Sequence, residues 1–305
     1  MLIYLPIAEM PVAVLLIFLV SGAVGFVSGL VGVGGGFIMT PALLFLGVPA
    51  PVAVATGASQ IAATSFSGIM TQTRRKAVDW RMGMLLSVGG IVGSSIGVAL
   101  FERLLRLGQL DLIVSLLYLL LLSSVGFLMV RESYRFWRGR PAKSVSVLRR
   151  PLKTVAHNLP FRMRFPRSGL YISVLPPLGL GFVIGAISAI MGIGGGFIVI
   201  PAMIYLLRMP TNVVIGTSQF QVLVISSLIV VLQSIATHTV DLVLALLLMA
   251  GGVVGAQIGA RVGAGIKAEY VRGILGVLLV AASIKFLFDL VVPPDEIYVL
   301  GAGLW

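Results

Sequence analysis

The 305-residue chain is 58% apolar and only 10% charged, with a mean hydropathy of +1.10; a soluble domain carries about 25% charged residues, so most of this chain is expected to lie in lipid. Residues 131–167 hold eleven Lys/Arg against Glu132, which is +10 of the total +12, so the basicity belongs to one loop and nucleic acid is not expected as a partner. The absence of cysteine excludes disulfides, thiolate metal sites and thiol catalysis.

A membrane-crossing helix needs about 20 apolar residues. Runs at 12–31, 52–73, 82–101, 110–130, 171–191, 213–235, 242–260 and 273–292 meet that length. The first follows Glu9 without a basic leader region or a small-residue cleavage site, which predicts a retained membrane segment. Two further pieces, 37–47 and 197–207, have 11 residues each. At about 1.5 Å per residue, each reaches roughly half-way through a bilayer. The fold class expected is an all-α polytopic membrane protein with about eight full spans and two short half-helices.

Each short piece follows a glycine-rich break, and the two breaks are copies. Gly32-Val-Gly-Gly-Gly-Phe-Ile-Met-Thr-Pro41-Ala42 recurs as Gly192-Ile-Gly-Gly-Gly-Phe-Ile-Val-Ile-Pro201-Ala202, with eight of eleven positions identical. The repeat continues beyond them. Gly57-Ala-Ser-Gln60 matches Gly216-Thr-Ser-Gln219, Val78-Asp79 matches Val240-Asp241, and the ridge Gly89/Gly93/Gly97 matches Gly251/Gly255/Gly259. The organisation predicted is a first transmembrane repeat over 1–130, a basic inter-repeat loop over 131–170 and a second repeat over 171–305.

Charge orients the repeats. Arg74-Arg75-Lys76 makes one loop strongly basic, whereas its counterpart, 234–241, has no Lys or Arg. Near the other ends the bias reverses, with Arg261, Lys267 and Arg272 outweighing Arg103 and Arg106 beside Glu102. The positive-inside rule then puts equivalent loops on opposite sides, giving an inverted repeat in the cell (inner) membrane. Loop 131–170 falls in the cytoplasm and both termini fall outside.

A repeat whose halves each contain a broken hydrophobic segment points to a transporter's binding site at the breaks. Gly32, Gly34, Gly35 and Gly36, with Gly192, Gly194, Gly195 and Gly196, leave backbone bare. The short helices starting there would aim free N–H groups and the positive end of the helix dipole at a cavity, a setting for an anion. Helix crossing is the alternative use of such glycines. Ser59 and Gln60, with Thr217, Ser218 and Gln219, add uncharged hydrogen-bonding groups; Thr56 and Gln221 lie nearby. These groups could solvate oxyanion oxygens or merely join helices. The glycine ridges at 89–97 and 251–259 read as helix packing.

No carboxylate, His, Lys or Arg is expected in the middle of a span, and Asp79, Asp111 and Asp241 sit where N-capping accounts for them. A proton relay or cation path would need an intramembrane ionisable group. His157 and His238 are isolated, and no nucleophile triad, HExxH or phosphate loop is present. The reading is therefore no enzyme, no metal and no cofactor. Tyr134, Phe136, Trp137, Leu148, Phe161 and Phe165 interleave the basic residues, so loop 131–169 suits anionic lipid headgroups as well as setting topology. A homo-oligomer is a further possibility.

The doubled G-x-GGGF-x-x-x-P motif, the Ser-Gln after each copy and the joined five-segment halves resemble the TauE/SafE sulfite exporter family over nearly all of the chain except 131–169. The resemblance implies transport of small sulfur-containing anions, such as sulfite or organosulfonates. It draws attention to Gly32, Gly34 to Gly36 and Pro41, with Gly192, Gly194 to Gly196 and Pro201. Thr40 in the first copy is Ile200 in the second; if Thr40 caps its short helix, the second lacks that cap. One negative charge leaving a cell held at about −100 mV inside gains roughly 2.3 kcal/mol, a gradient of about forty-fold, so export of a monoanion needs no coupling ion. A carboxylate carrier or an anion channel would use the same electrostatics.

Overall fold

A computed structural model describes residues 2–32, 36–137, 162–207, 209–263 and 268–291. These residues form ten helices and two β-hairpins. The first half comprises β1 (Leu2–Leu5), β2 (Met10–Ala13), α1 (Val14–Val31), α2 (Gly36–Phe45), α3 (Ala50–Arg74), α4 (Trp80–Arg106) and α5 (Leu110–Trp137). The second comprises β3 (Arg162–Phe165), β4 (Leu170–Ser173), α6 (Leu175–Met191), α7 (Gly196–Tyr205), α8 (Thr211–Ala236), α9 (Leu242–Gly263) and α10 (Ala268–Val291). The two element orders are identical.

Five of these helices contain stretches long and apolar enough to cross a membrane: Trp80–Arg106, Leu110–Arg131, Val213–Ala236, Leu242–Gly263 and Gly273–Val291. These account for five of the eight full spans expected. α1 and α6, 18 and 17 residues long, end at Gly32 and Gly192. α3 is 25 residues long, but its buried face carries Thr56, Ser59, Gln60, Thr64 and Ser65. The short helices α2 and α7, 10 residues each, fall where the half-length apolar pieces are.

The helices pair across the halves. The first helix of each half packs on the fourth of the other, α1 on α9 and α4 on α6, while α3 meets α8 and α5 meets α10. Small residues make these crossings close. A methyl on Gly25 would lie 2.2 Å from the Gly252 carbonyl oxygen, and one on Gly93 would lie 2.0 Å from that of Phe182. The ridges therefore let backbone touch backbone, as the packing reading expects. Tyr118 of α5 and Phe286 of α10 stack at 5.7 Å in the largest apolar cluster, which also takes in Phe37 and Phe197.

The hairpins lock the halves together through two buried aspartates. Asp79 caps α4 by accepting from the Met82 N–H (3.3 Å) and also accepts from the Ser168 N–H (3.0 Å) and hydroxyl (2.6 Å), in the β3–β4 turn. Asp241 caps α9 by accepting from the Leu244 N–H (3.0 Å) and accepts from the Ile7 N–H (3.1 Å), in the β1–β2 turn. Each aspartate's own N–H completes the exchange. That of Asp79 donates to the Thr217 hydroxyl (3.0 Å), and that of Asp241 to the Thr56 hydroxyl (3.1 Å). Every one of these bonds except the two N-caps crosses from one half to the other.

Candidate functional site at the paired glycine breaks

Gly32 and Gly192 end α1 and α6 in the left-handed conformation, with φ of 73° and 67°. Each cap N–H returns to a serine carbonyl one turn back, Ser28 or Ser188, at 2.8 Å. A glycine at such a C-terminus avoids the Cβ clash that disfavours other residues there. The chain is helical again from Gly36 in the first half and from Gly196 in the second. Gly194 and Gly195 also have positive φ, 69° and 75°. Gly34 and Gly35 lie outside the described residues.

The two breaks meet. A Cβ on Gly36 would lie 2.4 Å from the Ile193 carbonyl oxygen, and the rings of Phe37 and Phe197 stack at 4.4 Å. Ile61 of α3 stands between them, its methyls close to both Gly36 and Gly194. Gly36, Gly192, Gly194, Gly195 and Gly196 are all buried. The motifs, 160 residues apart in sequence, thus share one place in the fold.

The two sides of the second break differ in hydrogen-bonding capacity. The carbonyls at the end of α6 are supplied from other helices: Ala189 accepts from the Gln233 side-chain amide (3.1 Å), Met191 from the Tyr118 hydroxyl and Gly192 from the Thr40 hydroxyl (3.4 Å). Freed backbone groups at membrane depth need such partners. At the start of α7 the N-cap is Gly195, which offers no side-chain acceptor. The Gly195 carbonyl takes the Ile198 and Val199 N–H groups, so the N–H groups of Gly196 and Phe197 precede the helical ladder. The break is satisfied on its acceptor side and left donor-rich on the other.

Thr40 does not cap α2. It is the fifth residue of that helix, and its hydroxyl bridges to the other half at Gly192. The Ser-Gln pairs separate in role. Gln60 donates to the Ser21 carbonyl (3.2 Å) and hydroxyl (3.1 Å), joining α3 to α1, and packs on Gly252 of α9. Gln219 packs on Gly68 of α3, and its buried Oε1 has no hydrogen-bond partner. The position equivalent to Ser21 is Gly181, which has no hydroxyl to offer. Ser59 also keeps an unpartnered buried hydroxyl, Ser218 donates to the Ile215 carbonyl (2.9 Å), and Thr217 belongs to the Asp79 lock.

Ser188, which repeats as Ser28, and Ser226 lie outside the glycine and Ser-Gln motifs, yet both flank the second break. A Cβ on Gly194 would lie 2.9 Å from the Ser226 Oγ, and one on Gly195 would lie 3.8 Å from the Ser188 Cβ. Both hydroxyls are buried without a partner. Among the described residues the only buried charged side chains are Asp79 and Asp241, and no cluster of metal-ligating side chains occurs. Lys285 departs from the expectation of charge-free spans. It lies within α10, six residues before the helix end, exposed, with its ammonium 4.1 Å from the Phe45 ring centroid. Its position fits a cation–π contact at a lipid-facing surface.

The sequence model of the Sulfite exporter TauE/SafE family matches residues 17–286, a range that includes both breaks and both Ser-Gln pairs. This chain belongs to the TauE/SafE family. As a member of that family it is a polytopic membrane transporter. It is 30% identical over 273 residues to a protein named "Probable membrane transporter protein" from Xylella fastidiosa (strain 9a5c), covering 87% of this chain and 91% of that one. It is 25% identical over 279 residues to the "Probable membrane transporter protein YunE" of Bacillus subtilis (strain 168), covering 89% and 95%. No solved structure matches this TauE/SafE chain.

Proposed function

We propose that this TauE/SafE transporter moves small sulfur-containing monoanions, such as sulfite or organosulfonates, across the cell membrane, with export as the direction. The observation that carries the reading is the imbalance at the second break: the Ala189, Met191 and Gly192 carbonyls are taken, while the N-terminus of α7 has a glycine cap and no side-chain acceptor. Such a place favours a negative ligand. Partial charges stabilise one delocalised charge but compensate poorly for a second one removed from water. The substrate site is assigned to Gly32, Gly34 to Gly36, Gly192 and Gly194 to Gly196, with Ser59 and Gln219 as the Ser-Gln members whose polar atoms remain available.

Proteoliposomes test the substrate class. Counterflow is expected with sulfite and methanesulfonate, weakly with taurine and least with sulfate. Sulfite flux should rise as pH falls through its second ionisation, because the monoanion then accumulates. A preference for sulfate, or for acetate over both sulfur monoanions, would overturn the substrate reading. Trans-stimulation separates a carrier from a channel, since a pore does not exchange.

We further infer an inverted arrangement of the two halves, with Arg74-Arg75-Lys76 inside and the 234–241 connection outside. The chain has no native cysteine, so Ala77→Cys and Thr237→Cys can be labelled singly in intact cells. Labelling from opposite faces is expected. Labelling of both from one face would remove the inverted repeat.

A further inference from the structure

Buried polar groups in proteins are almost always hydrogen-bonded, and each exception calls for an explanation. Two exceptions here lie beside the same short stretch of backbone. Ser226 of α8 aims its Oγ at Gly194, and Ser188 of α6 lies beside Gly195; both side chains are 0% exposed and both hydroxyls lack a partner. Between them runs the chain that becomes the uncapped N-terminus of α7. We propose that Ser188 and Ser226 are the ligands that select the substrate: their hydroxyls donate to two oxygens of a monoanionic sulfite or sulfonate head whose charge rests on the first N–H groups of α7. The proposal rests on the reading of the chain as an anion transporter and makes its site one-sided.

The first half reproduces this arrangement only in part, since the counterpart of Ser188 is Ser28, which is also buried. The counterpart of Ser226, allowing for the 159-residue offset in that region, is Ser67. It is only half-buried, and its hydroxyl accepts from the Gln257 side-chain amide (3.4 Å). The two serines, 38 positions apart on two helices, lie beside a donor-rich helix start, where each hydroxyl can donate to an oxyanion oxygen. The free N–H groups at that helix start favour an anion over a cation. Because neither serine holds another group, each is free to turn to the ligand without breaking an existing bond.

The test uses the full-length protein reconstituted in liposomes, with sulfite, methanesulfonate and acetate as probes. Ser188→Ala and Ser226→Ala should each raise the half-saturating concentration of sulfite about tenfold, with little change in maximal flux, and Ser67→Ala should leave it unchanged. In detergent, both alanine variants should unfold at the wild-type temperature without ligand and lose most of the rise that sulfite gives the wild type; a merely structural hydroxyl would move the first value, not the second. Wild-type half-saturation in both variants overturns the assignment while leaving the transporter reading intact. If the wild type carries acetate but neither sulfur anion, the substrate reading fails, and the serines stand or fall by the same comparison on acetate. If it carries none of the three, both fail.

Discussion

Gly195→Val is expected to abolish transport while the protein still reaches the membrane in wild-type amount. The native φ is 75°, in the left-handed region that costs an ordinary L-residue about 1–2 kcal/mol and a β-branched one more. The new Cβ would also lie 2.5 Å from the Ile184 Cγ2. Strain and place can be told apart with Gly108, where φ is 66° and a Cβ would meet no atom within 4 Å. Gly108→Val carries the same conformational cost in open space and should transport normally. Flux assays on membranes matched for protein content decide the matter. Normal flux in Gly195→Val would make the break a packing device.

Asp79→Ala is expected to destabilise the protein by about 3–5 kcal/mol, because three donors, the Ser168 N–H and hydroxyl and the Met82 N–H, lose a charged acceptor in a buried place. Asp241→Ala should cost less, about 2–3 kcal/mol, since two donors depend on it. Thermal or denaturant unfolding in detergent gives the order. An Asp241→Ala variant as unstable as Asp79→Ala would show that donor count does not set the strength of the locks. Asp79→Asn should fall between Asp79→Ala and the wild type. It keeps an oxygen for the Met82 cap but turns an amide toward the Ser168 N–H.

Much of the helical framework was legible because lipid demands long apolar runs, and such runs are easily read. The predicted 213–235 and 242–260 lie within α8 and α9, and the two half-length pieces became α2 and α7. α5 runs on to Trp137, past the predicted end at 130, since Arg131 and its polar neighbours continue a helix even after hydropathy falls. The hairpins were not legible. Their strands have four residues each, too few for an alternation to stand out, and only Pro6 and Pro166 mark the turns as copies at the same 160-residue spacing.

The same limit explains the site. The glycines announced themselves, because backbone without side chains repeats as a motif. Asp79 and Asp241 looked fully explained by local capping, so nothing hinted at bonds to residues 89 and 234 positions away. Ser188 and Ser226 matter through their neighbours in space, which composition and spacing do not carry. Lys285 was hidden by averaging, since one lysine scarcely alters the hydropathy of a stretch such as 273–291.

The glycine-lined crossings also restrict how the molecule can move. At the glycines along α1 and α9, and again along α4 and α6, backbone lies against backbone, so neither seam has much slack to absorb a shear. Each seam joins a helix of one half to a helix of the other. Rocking the amino-terminal half as a block against the carboxy-terminal half would tear both open. A transport cycle that preserves them must instead carry α1 together with α9, and α4 together with α6, as two composite blocks. The division of the sequence into two repeats and the division drawn by these seams therefore run along different lines.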